Sequence, residues 1–168
     1  MGDGVANVVV TGGAGFVGSR LARELLAAGS LDVAGGGAAP LSRVTLIDRS
    51  APPADLAADG RVAAICGDLS ELLDPARAGE QALAGADVVF HLAAAVSAEC
   101  EADFDLGLHT NVDGTRGLLE YARQHRVPPV FVFTSSLAVF GSDPLVRSAS
   151  ATMPTRRFSR VITGRRRI

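Results

Sequence analysis

Short apolar runs alternate with amphipathic stretches along most of this chain. Val5 to Val10 is dominated by valine and is too short for a buried helix, which predicts a strand covered on both faces. Phe16 to Ala28 has helical spacing, with Phe16, Val17, Leu21, Leu25 and Leu26 on one face and Arg20, Arg23 and Glu24 on the other. Gly29 is placed to end that helix. Gly29 to Ser42 is rich in glycine and alanine and contains Pro40, which predicts a loop insertion. Strand patterns recur over Val44–Asp48, Arg61–Cys66, Ala86–Leu92 and Val130–Phe133, and helical patterns over Ala76–Leu83 and Leu106–His125. The second of these helices has Leu108, Val112, Leu118, Leu119 and Ala122 as its apolar residues. Alternation of this kind predicts an α/β class, a doubly wound parallel sheet of about five strands.

Ligands of such sheets bind beyond the carboxyl ends of the strands, and the distinctive residues of the sequence fall there. Gly12, Gly15 and Gly18 lie between the first strand and the first helix. In a dinucleotide site the first glycine makes the tight turn, the second admits the pyrophosphate and the third lets helix and strand pack closely. The helix N-terminus offers free N–H groups to the phosphates. Asp48 ends the second predicted strand, where a carboxylate bonds the adenosine ribose and repels a 2′-phosphate, favouring NAD over NADP. The usual spacing from the last glycine is about 20 residues; the insertion accounts for the longer spacing here. Arg49 weakens that preference, since an arginine there accepts a 2′-phosphate. Asp68 follows the third strand and either contacts adenine or caps the next turn. Ala93-Ala94-Ala95 end the fourth strand with side chains small enough for close approach of a ligand. His91 lies in an apolar run and reads as a core residue. Glu99, Glu101, Asp103 and Asp105 read as a solvated helix start rather than a metal site.

Charge divides the chain. All eighteen carboxylates lie at or before Asp143, against nine arginines before residue 147, a balance of −9. Residues 147–168 hold seven arginines and no acid. Cys66 and Cys100 have no metal-ligand spacing, no run is long enough to span a membrane, and no leader pattern opens the chain. A cytoplasmic location is the expectation. The basic segment could meet nucleic acid through phosphates, but with Phe158 as its one aromatic residue, nucleic-acid binding is not the expectation.

Several motifs together resemble the extended short-chain dehydrogenase/reductases, in the NAD-dependent epimerase/dehydratase group. They are Thr11-Gly12-Gly13-Ala14-Gly15-Phe16-Val17-Gly18, Asp48, Gly67-Asp68-Leu69, His91-Leu92-Ala93-Ala94, Asn111-Val112-Asp113-Gly114-Thr115 and Thr134-Ser135-Ser136-Leu137-Ala138-Val139-Phe140-Gly141. The resemblance covers residues 5–141 and implies a Rossmann domain over 1–146. It implies that Gly12, Gly15, Phe16, Val17 and Gly18 line the pyrophosphate. Asp48 would hold the ribose, Asp68 and Leu69 would lie near adenine, and Leu92, Ala93, Ala94, Asn111 and Thr134 would follow the rest of NAD. Ser136 would be the catalytic serine, hydrogen-bonded to the substrate oxygen during hydride transfer. The member most similar in sequence implies a four-carbon sugar acid as substrate; a nucleotide-sugar epimerase or dehydratase and a non-catalytic NAD-binding module are the alternatives.

The resemblance stops short of the family's Tyr-x-x-x-Lys pair, in which tyrosinate takes the substrate proton and lysine lowers its pKa. The sequence has one tyrosine, Tyr121, ahead of the serine, and no lysine. The substrate-binding C-terminal half is missing as well, so the expectation is an inactive cofactor half. Residues 147–168 read as disordered or as a frameshift product. Codons exist for Val161 to Arg167 (GTC ATT ACG GGA CGC AGA AGG) that, read from the third base, spell His-Tyr-Gly-Thr-Gln-Lys. A sheet edge left without its covering elements predicts a marginal monomer or a homo-oligomer.

Overall fold

The structure, a computed structural model, describes residues 4–33, 37–72 and 83–136. The chain divides into two units, Met1–Val132 and Phe133–Ile168. The predicted helix at Ala76–Leu83, apart from Leu83 itself, and the basic segment 147–168 lie outside the described residues.

Strand β1 (Ala6–Thr11), one residue later than the predicted run, leads into helix α1 (Phe16–Ala28), which has the bounds the apolar spacing predicts. Gly29 ends α1 in the left-handed region at φ 65°, its N–H donating to the Leu25 carbonyl at 3.0 Å. The next segment corrects the sequence reading. Instead of a loop, β2 (Ser30–Asp32) pairs antiparallel with the start of an eleven-residue strand, β3 (Ala38–Asp48). Leu31 packs against the core and Leu41 is buried in it, an anchoring that outweighs the weak strand propensity of the glycines and alanines around them. The insertion is a hairpin grafted on the leading end of β3, and it lengthens the path from Gly18 to Asp48.

Beyond β3 come α2 (Ala54–Ala57), β4 (Val62–Cys66), α3 (Leu69–Leu72) and β5 (Val88–His91). Then follow α4 (Ser97–Ala102), α5 (Phe104–Leu108), a wide π turn (His109–Asp113), α6 (Gly114–Gln124) and β6 (Val130–Phe133). The sheet has six strands among the described residues, one more than expected, because of β2. Its main order is β4-β3-β1-β5-β6, with β2 sharing the outer edge of β3. β1 pairs parallel with β3 and β5, and β3 parallel with β4. This is the doubly wound order, whose direction of winding reverses between β1 and β5.

Alternation along each strand builds two cores. Val8, Val10, Val44, Leu46 and Val88 pack with Ala22, Leu25 and Leu26 of α1. Val9, Ile47 and Val89 face the other way, toward Leu69, Leu83 and Leu118 of α6. Each of the Val, Leu and Ile side chains contributes about 1.5–3 kcal/mol on burial. At the amino ends Asp87 ties the strands together: its carboxylate accepts from the Asn7 N–H at 2.8 Å and its carbonyl from the Val130 N–H at 2.8 Å.

The last helix differs from its predicted face. Gly114, Leu118 and Ala122 are buried, but Leu108, Val112 and Leu119 are exposed, with Phe104 71% exposed beside them. The π turn is part of the reason. Its wider turn breaks the 3.6-residue phase between Leu108 and the buried set, while Leu119, beyond the turn, sits about 100° round the helix from Leu118 and off the buried face.

Candidate functional site

The carboxyl ends of β1, β3 and β5 open into a cleft of about 300 Å³. Its floor is the glycine turn. Gly12 has φ +70°, and a Cβ there would lie 2.9 Å from the Ala93 nitrogen; the turn and the end of β5 touch backbone to backbone. A Cβ on Gly18 would sit 2.1 Å from the Gly12 carbonyl oxygen, so α1 presses on the turn as the spacing predicts. Gly13, assigned no role from sequence, is as confined: its Cβ would meet Leu46 Cβ at 2.8 Å. Gly15 is the open one, with the Gly12 oxygen at 3.3 Å as the one close atom. α1 starts at this point with no acidic residue in its first turn, which leaves its N–H groups for an anion.

Asp48 is fixed by two backbone donors. One carboxylate oxygen accepts from the Ala14 N–H and the other from the Ser50 N–H, each at 3.0 Å. A carboxylate has about four acceptor positions, so two remain for hydroxyls. Arg49 lines the cleft beside it and reaches Glu99 of α4 at 3.8 Å.

Beneath the floor lies a buried polar relay that sequence reasoning saw only as a core histidine. Thr11 and His91 are register partners across β1 and β5, and both are buried. Thr11 Oγ1 accepts from the Leu92 and Ala93 N–H groups at 3.2 Å each and meets His91 Nδ1 at 2.7 Å. His91 Nε2 meets Thr115 Oγ1 at 2.8 Å, and that hydroxyl donates to the Asn111 carbonyl at 2.7 Å. The partners assign the protons. Thr115 has one hydrogen, and it goes to a carbonyl that can only accept, so His91 Nε2 must be the donor. Nδ1 of the neutral ring then accepts from Thr11. Burial holds His91 neutral, its pKa pushed down from 6.5 to about 4. The signal in the sequence was a polar residue at the same end of two valine-rich strands.

Of the predicted cofactor residues, Gly12, Gly15, Phe16, Val17, Gly18, Asp48, Asp68, Leu69, Leu92, Ala93 and Ala94 all line this cleft. Asn111 does not. Its side chain accepts from the Ala95 N–H at 2.8 Å and donates to the Ala95 carbonyl at 3.0 Å, clamping the segment after β5 from behind. Thr110 lines the cleft instead, and its buried hydroxyl has no hydrogen-bond partner among the described residues. Thr134 and Ser136 belong to the second unit and are exposed. Tyr121 lies on α6, its ring 4.4 Å from that of His125. No group of three or more potential metal ligands occurs among the described residues. No helix among them is long and apolar enough to cross a membrane.

A parallel doubly wound sheet with a glycine turn and a strand-end carboxylate at its switch point defines a nucleotide-binding α/β protein. Comparison with known proteins narrows the class. The family model "NAD dependent epimerase/dehydratase family" matches residues 8–160, and the chain belongs to that family. It is 45% identical over 150 residues to a D-erythronate dehydrogenase from Cupriavidus necator, covering 88% of this chain and 44% of that protein. Among solved structures, a nucleoside-diphosphate-sugar epimerase from Agrobacterium tumefaciens superposes with TM-score 0.69 at 42% identity, over 82% of this chain and 39% of that one. A dTDP-glucose 4,6-dehydratase double mutant from Streptomyces venezuelae, solved with NAD bound, gives TM-score 0.65 at 30% identity, over 82% and 41%. The chain thus spans about two fifths of the length of these relatives.

Proposed function

We propose that residues 1–146 are the NAD-binding half of a dehydrogenase acting on a four-carbon sugar acid, as D-erythronate dehydrogenase does. The observation that carries this reading is the cleft itself, with eleven of the predicted cofactor residues on its walls. The residues fit the cofactor. Gly15 leaves space and the start of α1 leaves donors for the pyrophosphate. Asp48 keeps two acceptor positions for the ribose, and Thr110 Oγ1 gains the partner it lacks. Bound NAD would accept the hydride. Ser136 would orient the substrate oxygen. The proton acceptor would be the Tyr-x-x-x-Lys pair that the 168 residues do not contain, so the chain alone would bind NAD without turnover.

The likeness to a nucleoside-diphosphate-sugar epimerase at 42% identity favours a nucleotide sugar as the second reading. The exposed apolar residues Phe104, Leu108 and Val112, spaced four apart, favour a homo-oligomer. Calorimetric titration of the purified chain with NAD is the test, paired with an assay of D-erythronate-dependent NAD reduction. Binding without reduction is expected. A folded chain that shows no heat with NAD refutes the reading, and steady turnover refutes its inactive part. Activity gained on D-erythronate but not on a nucleotide sugar, once coding DNA is restored to a frame with Tyr-x-x-x-Lys, would decide between substrates.

A further inference from the structure

Asp48 and Arg49 are neighbours with opposite preferences for the 2′ position of an adenosine ribose. The carboxylate suits a free hydroxyl and the guanidinium suits a 2′-phosphate. The structure separates them. Asp48 is held toward the glycine turn by the Ala14 and Ser50 N–H groups. Arg49 has a different partner, and its Nη2 lies 3.8 Å from Glu99 Oε1. Glu99 is held in turn, since its other oxygen accepts from the Val96 N–H at 3.0 Å across the first turn of α4. Arg49 lines the cleft, so its charge would otherwise be available to a ligand at the Asp48 rim.

We propose that Glu99 is a specificity-determining residue for the cofactor: it occupies Arg49 and so keeps the site selective for a dinucleotide without a 2′-phosphate. The inference rests on the NAD-binding reading above. Glu99 draws the guanidinium off the position a 2′-phosphate would take. The pair is half exposed, with side-chain accessibilities of 53% and 44%, so the effect is small in salt and largest at low ionic strength.

The test is E99Q, measured by titration with NAD and with NADP in low-salt buffer. Glutamine keeps an acceptor for the Val96 N–H and removes the charge, which preserves the start of α4. NADP affinity is expected to rise by about threefold to fivefold, with NAD affinity unchanged within about twofold. R49A/E99Q should lose the gain, because the guanidinium that would take the 2′-phosphate is gone. An E99Q protein that binds NAD normally and NADP no better overturns the inference and leaves the NAD reading standing. A gain that survives in R49A/E99Q also overturns it, since the charge of Glu99 alone would then account for the selectivity. Failure of the unmodified chain to bind either cofactor overturns both readings together.

Discussion

The floor and the rim of the cleft are built on opposite principles. The floor is uncharged, buried and closed: Thr11, His91 and Thr115 satisfy one another and the backbone around them, and Gly12, Gly13 and Gly18 leave no room for a side chain. The rim carries charge and stays open to water: Asp48, Arg49 and Glu99 are each held by one or two bonds and keep capacity to spare. A change in the floor has no solvent to absorb it, so it registers as lost stability. A change at the rim is cushioned by water, so it registers as altered ligand choice. The two regions are far apart in sequence but neighbours in the sheet, since Thr11 is the register partner of Ile47, the residue before Asp48.

At neutral pH the largest effect expected is from G18A. The added Cβ would lie 2.1 Å from a backbone oxygen that cannot rotate away, so α1 or the turn must shift. Overpacking of this severity costs about 3 kcal/mol, partly offset by the better helix propensity of alanine, about 1 kcal/mol. G15A is the matched control. Its Cβ meets one oxygen at 3.3 Å and its φ of −69° suits any residue, so its urea midpoint should stay near that of the parent. Its NAD affinity should fall, because the methyl group enters the space proposed for the pyrophosphate. Equal stability of G18A and the parent would show that the turn is not packed as described.

The next effect is a pH dependence. His91 binds a proton below about pH 6.5 when unfolded and only below about pH 4 when folded. Between those values the unfolded chain holds more protons, so stability rises with pH across this window and falls as the solution is acidified. The contribution is present in full above pH 6.5 and is lost as the pH falls toward 4, a decline of up to about 3 kcal/mol. Urea unfolding at pH 7.5, 6.0, 5.0 and 4.5 should show the decline. H91N, which does not titrate, should be less stable at pH 7.5 and flatter across the series. Asp59, whose carboxyl is held down to about 2 by the Arg61 side chain, acts below this window and leaves it clear. A slope in H91N equal to that of the parent would remove His91 as the cause.

These two cases also explain what the sequence could reveal. Gly12 and Gly18 announce themselves because the fold leaves one residue type there, and the spacing with Gly15 then carries the geometry. Asp48 was legible through its place at a strand end, even with the spacing lengthened by an insertion. The hairpin in that insertion was not legible, because its anchors, Leu31 and Leu41, are isolated among glycines and alanines that carry no period. The apolar stripe of the last helix was misread for a different reason. A π turn shifts phase without leaving a mark in residue type. Asn111 was assigned to the cofactor by resemblance, whereas its neighbour Thr110 lines the cleft and Asn111 holds Ala95. His91 was read correctly as core, but Thr11 and Thr115 lie on two other elements, β1 and α6, and only pairing of β1 with β5 in register brings Thr11 to it.

The smallest effect on the fold, and the sharpest on the ligand, belongs to D48N. Asparagine keeps one acceptor for a backbone N–H and puts an NH₂ group where the other carboxylate oxygen stood. One bond to the turn is lost, at about 1 kcal/mol or less, with water free to replace it. The ribose loses a charged acceptor, which for hydrogen bonds to ionised groups is worth about 1.5–3 kcal/mol, or at least about tenfold in NAD affinity. The two numbers are measured on one sample, by urea unfolding and by titration. If the rim acts as described, the affinity change exceeds the stability change, the reverse of what G18A shows. A D48N chain that unfolds as readily as G18A yet binds NAD as its parent does would place Asp48 with the floor, a bracket for the glycine turn and not a hand for the ribose.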